Sequence, residues 1–276
     1  MFRKYGVVGI VLILLVELNF IFKIEPFASW YFPVIWVGYI LTIDSIVYKL
    51  RKDSLISKRP WQILGMFIIS GLFWWIFEFV NLGLNNWNYS GLKFASNILL
   101  NLFGFLSFST VLPGLFETFE LIRAIHVFDN VKLKKRHNIT KKTIYVMWTL
   151  GILCFVTSVF LPEFAFPLIW ASFFLILDPI NYLHRQPSII KHYEDRKFAV
   201  PLSLIFAGLI MGFFWEFWNY WAVPKWTYDI PYLGFLKIFE MPILGYVCYM
   251  PFALELYAMY FFVRSLFLHK EHLLVE

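Results

Sequence analysis

The chain is poor in cysteine and in charge. Its two cysteines, Cys154 and Cys248, both sit inside apolar stretches, which argues against a disulfide framework and against a paired metal site. Charged residues make up 15% of the 276 positions and hydrophobic residues 60%, a balance that excludes both an ordinary soluble domain and a disordered segment. There is no glycine-rich phosphate loop, no nucleophile elbow and no Cys/His ligand pattern. His126, His137, His184 and His192 fall at helix ends or in loops without ligand spacing. No metal and no cofactor is expected, and nucleotide-driven chemistry is disfavoured. The formal net charge is +6, but the basic residues concentrate in a few loops, so membrane lipid headgroups rather than nucleic acid are the expected partner.

What the chain has in abundance is long apolar runs. Scanning for stretches of about 20 residues gives eight spans, near 5–22, 28–48, 61–82, 96–122, 143–161, 164–183, 199–222 and 236–264. The fold class expected is an all-α polytopic membrane protein of about eight transmembrane helices. Lys and Arg collect around Arg3-Lys4, Lys49–Arg59, Lys132–Lys142 and His184–Lys197, whereas the alternate loops carry few, among them Lys23, Lys93 and Lys225. The positive-inside bias then places both termini in the cytoplasm, in the cytoplasmic (inner) membrane. The first span follows Arg3-Lys4 as a signal peptide would, but no small-residue cleavage site precedes Lys23, so it is expected to be a retained helix.

The spans form a tandem duplication. Glu78-Phe79-Val80-Asn81 and Glu216-Phe217-Trp218-Asn219 are separated by 138 positions, and the same offset aligns Pro113 with Pro251 and Glu117 with Glu255. Trp87-Asn88-Tyr89 matches Trp226-Thr227-Tyr228 at 139, and Asp44 matches Asp178 at 134. The expected organisation is a first four-helix repeat over 1–128, a basic linker over 129–142, a second repeat over 143–268 and a tail over 269–276. An even number of spans per repeat gives both halves the same orientation, related by a pseudo-two-fold along the membrane normal.

Polar residues inside such spans need explaining, because each costs about 2.5–3.5 kcal/mol at mid-bilayer. Glu78 with Asn81, and Glu216 with Asn219, are spaced i, i+3 and so share one helix face. Each is followed by a Trp-x-Tyr loop, which reads as an interfacial aromatic belt or as a substrate wall. Glu240 lies just before Pro242 and has Leu102 as its counterpart in the first repeat. That asymmetry points to the second repeat as the working half. Glu216, Glu240 and Asn219 are the catalytic candidates, with two carboxyl groups in one poorly hydrated pocket retaining a transferable proton. Trp215, Trp226, Tyr228, Tyr246, Glu78, Asn81, Glu117 and Glu255 are candidates for binding. The plainer alternative for the duplicated Glu and Asn is that they fix the hairpin, and for Glu240 that it caps a helix. Asp44 and Asp178 read most simply as helix-end residues paired with Lys49 or Arg185.

Trp215-Glu216-x-x-Asn219-Tyr220, Trp226-x-Tyr228 and Pro242-Ile243-x-x-Tyr246 together resemble the repeat of the integral-membrane lycopene cyclases of the heterodimeric bacterial, archaeal and fungal type. Leu244 and Gly245 occupy the positions of that family's paired glutamates, and the nearest acid is Glu240. The resemblance implies a helical bundle around a cavity for a hydrophobic isoprenoid-type substrate, with a proton delivered to a terminal double bond and aromatic faces stabilising the cation. A carotenoid or other isoprenoid lipid enzyme is therefore the leading functional expectation. A transporter or channel using carboxyls at two depths is the alternative, and a non-catalytic membrane subunit with a partner protein or an oligomer is the third.

The orientation has a direct test. With Cys154 and Cys248 replaced by alanine, a cysteine at Asn138 is expected to react with an impermeant maleimide in inverted vesicles and not in intact cells. Labelling of intact cells would reverse the topology.

Overall fold

The computed structural model describes residues 1–230 and 235–267, so the tail expected over 269–276 lies outside the described residues. The helices are α1 (Lys4–Phe22), α2 (Tyr31–Arg51), α3 (Leu55–Lys58), α4 (Pro60–Leu84), α5 (Asn97–Ser109), α6 (Val111–Ala124), α7 (Lys141–Phe160), α8 (Pro162–Ala165), α9 (Ile169–Leu183), α10 (Ile189–Glu194), α11 (Ala199–Trp221) and α12 (Tyr249–Phe267). The strands are β1 (Trp87–Ser90), β2 (Lys225–Tyr228), β3 (Lys237–Ile238) and β4 (Met241–Pro242). Among the described residues, eight helices are long and apolar enough to cross a membrane, the fourth formed by α5 and α6, the sixth by α8 and α9, and the eighth by a 3-10 turn at Ile243–Cys248 running into α12. The chain is an all-α polytopic membrane protein. The last span begins at Ile243 rather than near 236, because the preceding residues pair as the β3–β4 hairpin.

Packing follows the duplication. α1 lies along α2 as α7 lies along α9, and α2 packs on α6 as α9 packs on α12. α6 and α12 are the innermost helices, α6 with almost every residue buried, while α1 and α7 are peripheral and turn apolar side chains such as Leu14, Leu15, Ile152 and Leu153 outward. A helix apolar all round with one buried stripe is what a lipid-facing position requires.

The fourth span of each repeat breaks two residues before its proline. In the first repeat α5 ends at Ser109 and α6 begins at Val111. Pro113 has no N–H to offer the carbonyl one turn earlier, and the Ser70 hydroxyl inserts into the interrupted ladder, donating to the Phe108 carbonyl at 2.6 Å and accepting from Leu112 N at 3.0 Å. The residue 138 positions after Ser70 is Gly208, where a Cβ would lie 2.3 Å from the Tyr249 carbonyl oxygen. Serine bridges the break in one repeat; in the other, glycine lets the helix start press directly against its neighbour.

Asp44 and Asp178 are fully buried and hold the short helices that follow their spans. Asp44 accepts from Ile56 N at 2.8 Å and from Ser54 Oγ at 2.9 Å, and also from the Tyr5 hydroxyl. Asp178 accepts from Ile189 N at 2.8 Å and Ile190 N at 2.9 Å. Their role is structural, but the partners are backbone amides and hydroxyls and not the Lys49 or Arg185 expected from sequence. α10 also carries His192, whose imidazole is pushed down to about 4 by burial and by the nearby Lys197. A histidine held neutral in the fold contributes stability above its unfolded value, and that stability is lost as pH falls from about 6.5 towards 4.

At the opposite end from these aspartates, β1 and β2 pair antiparallel with Trp87 opposite Tyr228, Asn88 opposite Thr227 and Tyr89 opposite Trp226. The two Trp-x-Tyr segments thus form one ribbon, and its local two-fold passes between Asn88 and Thr227. Strand alternation puts Trp87, Tyr89, Trp226 and Tyr228 on the inward face. Asn81 and Asn219 fasten the ribbon. Asn219 accepts from Trp226 N at 2.9 Å and donates to the Trp226 carbonyl at 2.8 Å, as Asn81 donates to the Trp87 carbonyl at 2.8 Å and accepts from Asn86 N at 2.9 Å. Each asparagine mimics a peptide group of a third strand.

This pairing predicts a cross-link. In a variant lacking the native cysteines, Asn88→Cys with Thr227→Cys is expected to oxidise to a disulfide, since opposed residues of an antiparallel pair bring their Cβ atoms to about 4.5–5.5 Å. After cleavage in the 129–142 linker the two halves should migrate together without reductant; separate migration would rule the ribbon out.

Candidate functional site

Beneath the ribbon lies a cavity of about 300 Å³ shared by both repeats. Its roof is Trp87, Tyr89, Trp226 and Tyr228; its walls include Trp74 and Glu78 of α4, Phe103, Gly104 and Phe108 of α5, Trp170 of α9, Trp215 of α11 and Tyr249 and Phe252 of α12. Trp215 sits at the centre of the aromatic packing, with ring centroids 5.2 Å from Trp74, 6.0 Å from Trp36 and 6.3 Å from Tyr249. The surface offered to an occupant is overwhelmingly aromatic and apolar, with few polar groups.

Two carboxyl groups anchor this aromatic shell, and both concentrate their donors on one oxygen. Glu78 Oε1 accepts from Trp74 Nε1 at 2.8 Å, from Trp87 Nε1 at 3.2 Å and from the Tyr89 hydroxyl. Its side chain lines the cavity. Glu216 Oε1 accepts from the hydroxyls of Tyr228 and Tyr249, each at 2.6 Å, and Trp226 Nε1 donates to the Tyr228 oxygen at 2.8 Å. Glu216 is fully buried behind these two tyrosines, which themselves line the cavity. Burial raises the Tyr228 hydroxyl well above its ordinary value, with the Glu216 charge adding to the effect, so this phenol stays protonated and donating at neutral pH.

The repeats supply the second inner donor by exchanging bulk between helices. Position 74 is Trp in the first repeat, and its counterpart 138 residues on is Gly212; position 111 is Val, and its counterpart is Tyr249. A Cβ on Gly212 would lie 2.3 Å from the Tyr249 ring, so the ring occupies the space that a Trp would fill. In one half the donor comes from the carboxyl's own helix, in the other from the next helix.

The sequence-expected residues divide accordingly. Trp215, Trp226, Tyr228 and Glu78 line the cavity. Asn81 and Asn219 bind the backbone of the ribbon, which places Asn219 as a positioning residue rather than a group facing an occupant. Glu240 is not a helix cap: it precedes β4 and pairs with Lys225 at 2.6 Å. Tyr246 donates to the Ile238 carbonyl at 3.1 Å and steadies the β3–β4 hairpin. Glu117 and Glu255 are fully buried away from the cavity, Glu117 beside Asp44 and Glu255 accepting from Phe173 N at 3.3 Å. The cavity draws its lining from both repeats. Trp74, Tyr89, Trp170 and Tyr249 were missed, although the offset pairs Trp74/Gly212 and Val111/Tyr249 carried a signal for two of them.

No protein-family profile, no characterised protein and no solved structure matches this chain.

The arrangement separates two substitutions that sequence alone would rank equally. Tyr249→Phe leaves Glu216 with one donor in a buried site and is expected to lower stability by about 1–3 kcal/mol, read as a lower Tm in detergent. Glu240→Gln breaks a partly exposed ion pair and should cost under about 1 kcal/mol. Equal losses would contradict the assignment of these roles.

Proposed function

We propose that the protein is an integral membrane enzyme that binds one unsaturated apolar chain, of isoprenoid or carotenoid type, in the cavity under the ribbon and rearranges it by acid–base chemistry. The observation that carries this reading is that two carboxyl–tyrosine centres meet a single aromatic-walled cavity. Glu78, the carboxyl that lines the cavity, would deliver a proton to a terminal carbon–carbon double bond. The positive charge formed on the chain would be stabilised by the faces of Trp74, Trp215 and Trp226. Ring closure or double-bond migration moves that charge along the chain, and loss of a proton to Glu78, or to Glu216 through Tyr228 or Tyr249, restores a neutral product. One proton is added and one removed, so no oxidant, reductant or cofactor is required. A carboxyl in an apolar, water-poor site suits this chemistry because the cation is not intercepted by solvent.

The cavity's place near the ribbon end of the bundle supports this reading over solute passage, because Glu117 and Glu255, which a transport path would need, do not line it. The resemblance of 212–255 to the lycopene cyclase repeat supports the substrate class, while the acids doing the work would differ: Glu78 in the first repeat and Glu216 in the second.

The test is lipid and pigment profiling by mass spectrometry in a host that makes lycopene and common isoprenoids. A product formed by the wild type is expected to fall at least tenfold in Glu78→Gln and to persist in Glu240→Gln. Identical profiles for the wild type and the empty host, or an undiminished product in Glu78→Gln, would sink the proposal.

A further inference from the structure

Among the described residues that line it, the cavity reaches the surface at Tyr89 of the ribbon, which is 40% exposed, and between α4 and α5. Trp75 is 41% exposed, and Asn101, one turn before Gly104, is exposed as well; all three line the cavity. They mark a gap between α4 and α5. Trp75 stands nine residues from the end of α4 and Gly104 is the eighth residue of α5, so at about 1.5 Å per residue the gap lies roughly 10–14 Å below the ribbon ends of those helices. That depth is within the hydrocarbon of a bilayer whose apolar core is about 30 Å thick.

The pseudo-symmetric face of the second repeat is partly covered. There the chain forms the β3–β4 hairpin and the 3-10 turn, and Phe239 from that hairpin packs on α11 at 5.8 Å from Phe213, 5.5 Å from Phe217 and 5.7 Å from Tyr220. The first repeat instead has Gly104, where an added Cβ would meet nothing closer than Phe108 at 3.6 Å.

We infer that the substrate is a long-chain apolar lipid taken end-on from the bilayer through the α4–α5 gap, with its terminal portion in the cavity and the remainder left among the lipids. This rests on the reading of the cavity as an apolar-chain site. It assigns recognition to the chain's end and makes the far portion indifferent to the protein. Trp75, Asn101 and Gly104 form the mouth; Trp74, Tyr89 and Trp226 meet the end that enters.

Two photo-reactive probes test the inference: a C20 polyisoprenoid alcohol carrying a diazirine on its terminal isoprene unit, and the same chain with the diazirine at mid-length. Each is incorporated with the full chain into liposomes and mapped by peptide mass spectrometry. The terminal probe is expected on peptides holding Trp74, Tyr89 or Trp226, and the mid-chain probe on those holding Trp75 or Asn101. Gly104→Trp, which plugs the mouth, should cut terminal labelling of the cavity at least tenfold while labelling of α1 and α7 stays unchanged. Gly104→Ala should label as the wild type does, and tryptophan at Leu100, which lines the cavity one residue before Asn101, provides a second plug (Leu100→Trp) should the first fail to fold. Terminal labelling confined to lipid-facing helices, or undiminished in a folded plug variant, would overturn the inference. Labelling as expected without conversion in the lipid-profiling host would leave the lateral route standing and remove the acid–base reading; conversion that ignores the plug would do the reverse.

Discussion

The structure depends on one constraint: polar groups placed inside an apolar bundle have to find partners within the protein. Asn81 and Asn219 meet it by bonding to the backbone of the ribbon, and Glu78 and Glu216 by collecting indole and phenol donors from ribbon and helices. The ribbon in turn exists because each Trp-x-Tyr segment finds its strand partner in the other repeat. Carboxyl, asparagine and strand are thus mutually dependent, and the cavity is the space their aromatic side chains frame without filling.

Duplication followed by local divergence explains how a symmetric scaffold acquires a directional site. The register of 138 is kept where helices must break and where the polar residues sit, at Pro113 and Pro251, Glu78 and Glu216, Asn81 and Asn219. It is lost between the third and fourth spans, where α5 in one half faces a hairpin and a 3-10 turn in the other. The exchange of Trp74 for Tyr249 as inner donor shows the same divergence at the scale of one side chain: a glycine opposite a tyrosine replaces a tryptophan opposite a valine. Two chemically similar centres, one facing the cavity directly and one through hydroxyls, result from a single ancestral plan.

Much of this fold was legible in the sequence. Eight spans, their pairing in tandem and the polar face shared by Glu and Asn could be read because apolar runs and carboxyls inside them are strong signals. The Trp-x-Tyr ribbon was not legible, since its pairing is between segments far apart in the chain and four-residue strands carry little periodicity. Tyr249 and Trp74 were hidden by the chain's aromatic richness, in which one ring looks like another until the glycine facing it is considered. The ion pair of Glu240 with Lys225 was not legible, because the two residues lie 15 apart across a loop. The fourth span breaks at Thr110, three residues before Pro113, and the Ser70 hydroxyl from another helix bridges the Phe108 carbonyl and the Leu112 amide there.

The central claim is that the space under the ribbon is a dry site for an apolar chain within reach of Glu78. Electron cryomicroscopy of the protein in nanodiscs of host lipid tests it most directly. The account predicts elongated density running from the α4–α5 gap to the Glu78 carboxyl; a cavity containing only ordered waters, continuous with the aqueous side of the ribbon, would contradict it.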